Sequence, residues 1–412
     1  MELSERMPAR RVYWTAFIGL FFDYYDLYLF VYLEKVLAGN FGLSVGESNA
    51  LQFTGLAGVG LGALVFGFLA DRFGRGRMML AVFGVYAAGI AGIALAWDFG
   101  SLLGFRLMAS LALGAEWGIS HTFMSEHVGP ERRYRFAALL QFSILGGLLA
   151  ALAARYALPV VGWRWLFAAS ILPVAVLSAV RWRWLARREP EMGDGRWKMG
   201  SEGGQPEIGD RRSEIGAGAG WMGAFLRCLA IASLTIASGT VNVFFAKELP
   251  QSPLYTILFW GNVAPGMLLG AWIVRRAGVR RALIGYAVAL VALSGFAWAS
   301  DWEGRKLAFA LVLPLLNGIP FGLMGAYFNE VFARYRTMLS GSAYNFGRIL
   351  AGFAPVLITA LGLHEGGNYF LFSAGLGLGV LVVGWGVGRE RGTTGGQRPP
   401  VDAHLDSSLR SE

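Results

Sequence analysis

Charge is scarce in this sequence. Only 15% of its 412 residues are Asp, Glu, Lys or Arg, against roughly 25% in soluble globular chains, so two or three water-soluble domains are not expected. Cysteine is nearly absent: Cys228 alone excludes an intrachain disulfide and any cysteine-based metal site. The four histidines form no H-x-x-x-H pair, and no phosphate-binding P-loop is present. "GLGLG" at 375–379 lies inside an apolar run and reads as packing. No enzyme, metal or cofactor is expected from this inventory. The N-terminal "MELSERMPARR" leads into an apolar stretch too long for a signal h-region and lacking a small-residue cleavage site, so no cleavable leader is expected.

What the chain has is apolar length. Hydrophobic residues make up 55% and glycine contributes 58 positions, the latter suited to close helix packing in lipid. Segments of about 20 mostly apolar residues match the thickness of a bilayer as helices. Twelve are read, near 12–36, 50–70, 77–97, 102–124, 136–157, 165–186, 222–246, 252–274, 281–300, 306–328, 341–362 and 367–388. The expected fold is an all-α membrane protein with twelve transmembrane helices in two pseudo-symmetric six-helix bundles. The bundles take residues 1–186 and 221–388, joined by a polar linker at 187–220 and followed by a disordered tail at 389–412. The net charge of +9 is assigned to loops rather than to a nucleic-acid partner. Arg10, Arg11, Arg72, Arg75, Arg77, Arg132, Arg133, Arg135, Arg275, Arg276, Arg280, Arg281, Arg334 and Arg336 all fall on one side if the segments alternate, as do the linker arginines. The positive-inside rule makes that side, and both termini, cytoplasmic.

A shift of 204 residues places Arg72, Gly74 and Arg77 on Arg276, Gly278 and Arg281, and Gly114, Gly118 and Glu126 on Gly318, Gly322 and Glu330. Loop residues thus fall on loop residues, and one inner-end carboxylate falls on another.

Ionisable residues at membrane depth are functional candidates by default, because hydrocarbon penalises them. Asp23 and Asp26, in "GLFFDYYDLYLFVYL", share one helical face three residues apart. They are expected to face the interior, where a carboxyl can exchange protons. Arg106 in the fourth segment has a depth compatible with Asp26, and an ion pair between them would break on protonation of the carboxylate. Glu116 lies near mid-span and His121 deeper. Gln141, Asn317, Asn242, Asn262, Tyr344 and Tyr327 are candidates for lining a substrate cavity. In "GFLADRFGRGR", Asp71 sits at a helix C-terminus, where a carboxylate is disfavoured. It therefore requires a cation or another helix's N-terminus.

The pattern Gly67-x-x-x-Asp71-Arg72-x-Gly74-Arg75-x-Arg77, between the second and third segments, resembles the signature of the major facilitator superfamily. "FFDYYDLYLF", "LGAEWGISHTFMSEHVGPERR", "GWRWLF" (162–167), "REPE" (188–191) and "NEVFARYRTMLSGSAYNFGR" (329–348) are similar to the metabolite:proton symporters and the sialate and aromatic-acid:proton symporters. The resemblance implies a proton-coupled secondary active transporter importing a small organic acid or similar polar metabolite by alternating access. A proton-driven exporter and a sugar carrier of the same fold are the alternatives. It further implies a proton-coupling pair of Asp26 and Arg106, with Asp23 and Glu116 as cavity carboxylates. A cytoplasmic latch is implied around Asp71, with Glu126 held by loop arginines and Glu330 paired with Arg348. The alternative for Arg348 is to hold an anionic substrate. In the second half "AWIVRRAGVRR" puts Arg275 where the repeat would put Asp71. The implied partners are protons, a small-molecule substrate and the bilayer of a cell inner membrane, with the protein a monomer.

Overall fold

Turn-forming residues interrupt the apolar runs, and each run closes into a helix. The computed structural model describes residues 8–186, 220–241, 252–332, 334–365 and 367–387. Asn242, the 187–219 linker and the tail after 387 lie outside the described residues. The helices are α1 Ala9–Phe41, α2 Val45–Phe73, α3 Arg75–Leu95, α4 Phe99–His127, α5 Pro130–Val161, α6 Trp163–Ala186 and α7 Gly220–Thr240. A run at Pro253–Ala299 follows, then α10 Arg305–Val331 and α12 Tyr369–Gly386.

The 47-residue run would extend about 70 Å as one helix, over twice a hydrocarbon core of about 30 Å. It breaks at Gly278, with φ 84° and ψ 165°, giving α8 (253–277) and α9 (279–299). Gly74, its partner in the 204-residue shift, separates α2 from α3 with φ 97° and ψ 139°. Both positions need a positive φ that glycine tolerates. The eleventh segment, α11, is split at Phe353 into Arg336–Gly352 and Ala354–Ala360. With these breaks the described residues hold twelve membrane-crossing segments.

Local chemistry fixes several helix starts. Ser44 and Glu47 form a capping box at α2, and Asp98 and Ser101 form one at α4. The Ser101 N–H donates to Asp98 at 2.8 Å, and Ser101 holds the Asp98 carboxyl below its usual range.

The repeat is visible in the packing. Gly62 and Gly114 let α2 and α4 approach through the backbones of Leu111 and Val59; Gly266 and Gly318, each 204 residues on, do the same for α8 and α10 against Leu315 and Val263. Between the halves, α2 and α4 meet α11, and α8 and α10 meet α5. The two seams are therefore related by the same exchange of halves.

Candidate functional site

At the arginine-rich end of the α2/α11 seam, helix α11 begins at Arg336 with Tyr335 as its N-cap residue. Tyr335 supplies no capping side chain and has φ 47°. The cap comes from the other half instead. Asp71 accepts from the Thr337 N–H at 3.1 Å and the Met338 N–H at 3.0 Å, while Arg75 donates to it at 2.8 Å. An acidic side chain on an exposed helix N-terminus is the favourable polarity. Arg75 also reaches Thr337 Oγ1 at 3.3 Å and Glu126 at 3.4 Å. Gly67 makes room here, since a Cβ would lie 2.8 Å from the Met338 Cα. Arg72 and Arg77 are exposed, with Arg72 over the Phe73 ring.

The α5/α10 seam closes differently. Tyr134 of α5 donates to Glu330 at 2.7 Å, while Thr122, on α4, donates to Asn329 of α10 at 2.7 Å. The expected Glu330–Arg348 ion pair is corrected: among the described residues no such pair forms within 4.0 Å. Arg348 lies twelve residues into α11, about 18 Å along the axis from its start, whereas Glu330 is at the inner end of α10.

Arg348 instead faces the centre. Its Nη1 contacts Asn345 Oδ1 at 3.4 Å and its guanidinium lies 5.9 Å from the Tyr344 ring. It is within electrostatic reach of Tyr24, Tyr28 and Arg106. Tyr344 stacks on Trp117 of the other half at 4.0 Å and 5°, and its hydroxyl meets that of Tyr24 at 2.9 Å. Asn345 donates across the seam to the Gly114 carbonyl at 2.8 Å. Nearer the opposite membrane face, Tyr28 packs edge-on against Trp260 at 4.7 Å.

Asp26 is 2% exposed in α1. One carboxylate oxygen is bonded by the Tyr86 hydroxyl of α3, and the other accepts from Ser170 of α6 at 3.1 Å. Arg106 lies over the Phe30 ring, 3.7 Å from its centroid, and Gly55 leaves room for it. The direct Asp26–Arg106 ion pair is therefore corrected as well: among the described residues none forms within 4.0 Å, because hydroxyls occupy the carboxylate and an aromatic face occupies the guanidinium. The two charges remain in electrostatic reach. Asp23 is buried one turn away, and buried Glu116 accepts from Ser120 at 2.8 Å.

The amide candidates are placed as follows. Gln141 Oε1 accepts from Trp117 Nε1 at 2.9 Å and contacts His121 Nε2 at 3.0 Å. Asn317 accepts from Ser238 and Tyr286 within the second half. Asn262 donates to the Leu311 carbonyl at 2.9 Å where α8 bends. Tyr327 is buried edge-on to Phe328.

A sequence profile of the Major Facilitator Superfamily matches residues 16–355. The chain belongs to that superfamily. It is 26% identical over 393 residues to the niacin transporter NiaP of Acinetobacter baylyi, covering 87% of this chain and 88% of the relative. It is 28% identical over 398 residues to the cis,cis-muconate transport protein of the same organism, covering 90% and 89%. Its fold is similar to that of the proton:xylose symporter XylE, with TM-score 0.68 and 16% identity over 92% of this chain and 95% of that one. The chain is thus a multi-pass membrane transporter rather than an enzyme.

Sequence reasoning missed Tyr86, Ser170, Phe30 and Trp117. Tyr86 had a usable signal as the one hydroxyl within the apolar third segment. Phe30 and Trp117 gave none, since aromatics are frequent throughout.

Proposed function

We propose that this superfamily member is a proton-coupled transporter that imports a small organic acid by alternating access. Asp26 carries the proton, with Arg106, Asp23 and Glu116 as the surrounding charges. The observation that carries this reading is a carboxylate buried at membrane depth whose contacts among the described residues are neutral hydroxyls rather than a cation. Such a group can hold its charge or take a proton without breaking a salt bridge, and the two states favour different arrangements of the halves.

The substrate carboxylate is received by Arg348. Among the described residues it contacts an amide at 3.4 Å, and tyrosines lie within its electrostatic reach. A cation at this depth gains from an anionic partner, and flat rings can stack in the Trp117–Tyr344 region. The names of the relatives, a niacin transporter and a cis,cis-muconate transport protein, support a planar carboxylate. Asp71, Arg75, Glu126 and Glu330 form the latch. The two halves, 1–186 and 221–388, rock about the central site, with the arginine-rich loops and both termini cytoplasmic in the inner membrane of the cell. The protein works as a monomer.

The test uses purified protein in liposomes, with radiolabelled niacin and cis,cis-muconate and an imposed pH gradient. Accumulation that follows the gradient and is lost in Asp26→Asn, with exchange retained, supports the reading. Accumulation by Asp26→Asn against a gradient overturns it.

A further inference from the structure

The hydroxyls around Asp26 leave a proton count to settle. Tyr86 has one O–H and two acceptors in reach, the Phe22 carbonyl at 3.1 Å and Asp26 Oδ2. Ser170 likewise has one proton for the Phe167 carbonyl at 2.8 Å and Asp26 Oδ1 at 3.1 Å. An ionised carboxylate only accepts, whereas a protonated one also donates.

We infer that Tyr86 and Ser170 are positioning residues that hold Asp26 ionised without a cation and so set the pH at which it takes up its proton. With Asp26 ionised, both hydroxyls turn to the carboxylate, and α3 and α6 are tied to α1 through it. With Asp26 protonated, its O–H donates to Tyr86 Oη, and the Tyr86 proton turns to the Phe22 carbonyl. The α1–α3 tie then persists through a different pair of atoms. One proton is gained and each hydroxyl keeps its own, so the exchange balances by rotation about two C–O bonds. Arg106 rests on Phe30 meanwhile, which leaves it available for a later step.

The other charged or titratable groups facing this cluster are Asp23 and Tyr25 on α1 and Arg106 on α4. Helix α5 presents Gly146 to the Phe21 and Tyr25 backbone, without a charge. This inference rests on Asp26 being the proton carrier, and its test separates the two claims.

The experiment is an infrared pH titration of the full chain in lipid, reading the C=O band of protonated carboxyl groups. The component removed by Asp26→Asn reports this site. Hydrogen bonds to a charged form favour that form, so Tyr86→Phe should raise the midpoint of this component by about one pH unit. Ser170→Ala should raise it by less, and it carries the test alone if Tyr86→Phe does not fold. If Asp26→Asn removes no titrating component, the proton-carrier reading fails. If it removes one whose midpoint is unmoved or lowered in the hydroxyl variants, Asp26 remains the carrier and the role of the hydroxyls is overturned.

Discussion

Replacing Asp71 by Asn tests the seam most directly. The carboxylate receives two backbone N–H groups at the start of α11 and the Arg75 guanidinium, at 3.1, 3.0 and 2.8 Å. Asparagine keeps one acceptor oxygen and turns an NH₂ toward the other donor. At least one charge-assisted hydrogen bond is lost, worth about 2 kcal/mol. At 1.4 kcal/mol per decade, the equilibrium should move about 30-fold toward the state open on the arginine-rich side. A cysteine at Thr122 reports that state. Thr122 is fully buried and faces Asn329 of the other half, while the native Cys228 is itself buried. In Thr122→Cys protein, a membrane-impermeant maleimide added on the arginine-rich side reacts in proportion to the open population. Adding Asp71→Asn should raise the initial rate by about 30-fold. A rate unchanged within twofold would show that the latch contributes little to closure.

The same assay reads Gly118→Ala, whose Cβ would lie 2.9 Å from the Thr337 carbonyl and 3.0 Å from the Gly341 Cα. These are backbone atoms and cannot rotate away, so the seam should stay open and reactivity rise; protection equal to the parent's would refute this. Arg348→Gln should weaken niacin binding at least tenfold in thermal-shift titration, from loss of a charged hydrogen bond worth about 1.5–3 kcal/mol, with nicotinamide, which lacks the carboxylate, as the control. Equal niacin affinity would remove Arg348 from the site. One proton moving with one monocarboxylate carries no net charge, so a one-unit pH gradient should give about tenfold accumulation and a membrane potential should add nothing. A clear response to potential, up to roughly 40-fold per 100 mV for one uncompensated charge, would require a different stoichiometry.

The sequence made some of this architecture legible because membrane depth is one-dimensional. Position along an apolar segment gives height, and arginine-rich loops give polarity. Asp71 could therefore be recognised as needing a cation or a helix N-terminus, and it receives both. The break at Gly278 falls between the segments read at 252–274 and 281–300, where the 204-residue shift puts one loop on another. Depth does not give azimuth. Asp26 and Arg106 have compatible heights, yet α1 turns the carboxylate to Tyr86 and Ser170, 60 and 144 residues away, while the arginine lies on Phe30. Those partners depend on which helices become neighbours, and no local pattern encodes that. The Glu330–Arg348 expectation failed on height itself, since an arginine side chain cannot bridge most of the roughly 18 Å that separates Arg348 from the start of its helix.

The repeat also explains why the two seams are held by unlike devices. Gly74 and Gly278 share a backbone conformation, so α2–α3 and α8–α9 turn alike. Symmetry would then bring residue 275 toward the start of α5 as Asp71 is brought to the start of α11. Residue 275 is arginine, and a cation is repelled by the partial positive charge of a helix N-terminus. That seam therefore draws its carboxylate from Glu330 on α10, which accepts a side-chain hydroxyl from Tyr134. In the first latch Asp71, held by Arg75 of its own half, grips two backbone N–H groups of the other half; in the second Glu330 accepts from one phenol. Both acceptors are carboxylates, so each bond across a seam is charge-assisted; Asp71 makes two of them and Glu330 one, so the α2/α11 seam should resist opening more than the α5/α10 seam. Opening then starts where Tyr134 leaves Glu330, and Tyr134→Phe should change maleimide access to Thr122→Cys less than Asp71→Asn does. The reverse order would mean that the single phenol contact, and not the helix cap, limits the motion.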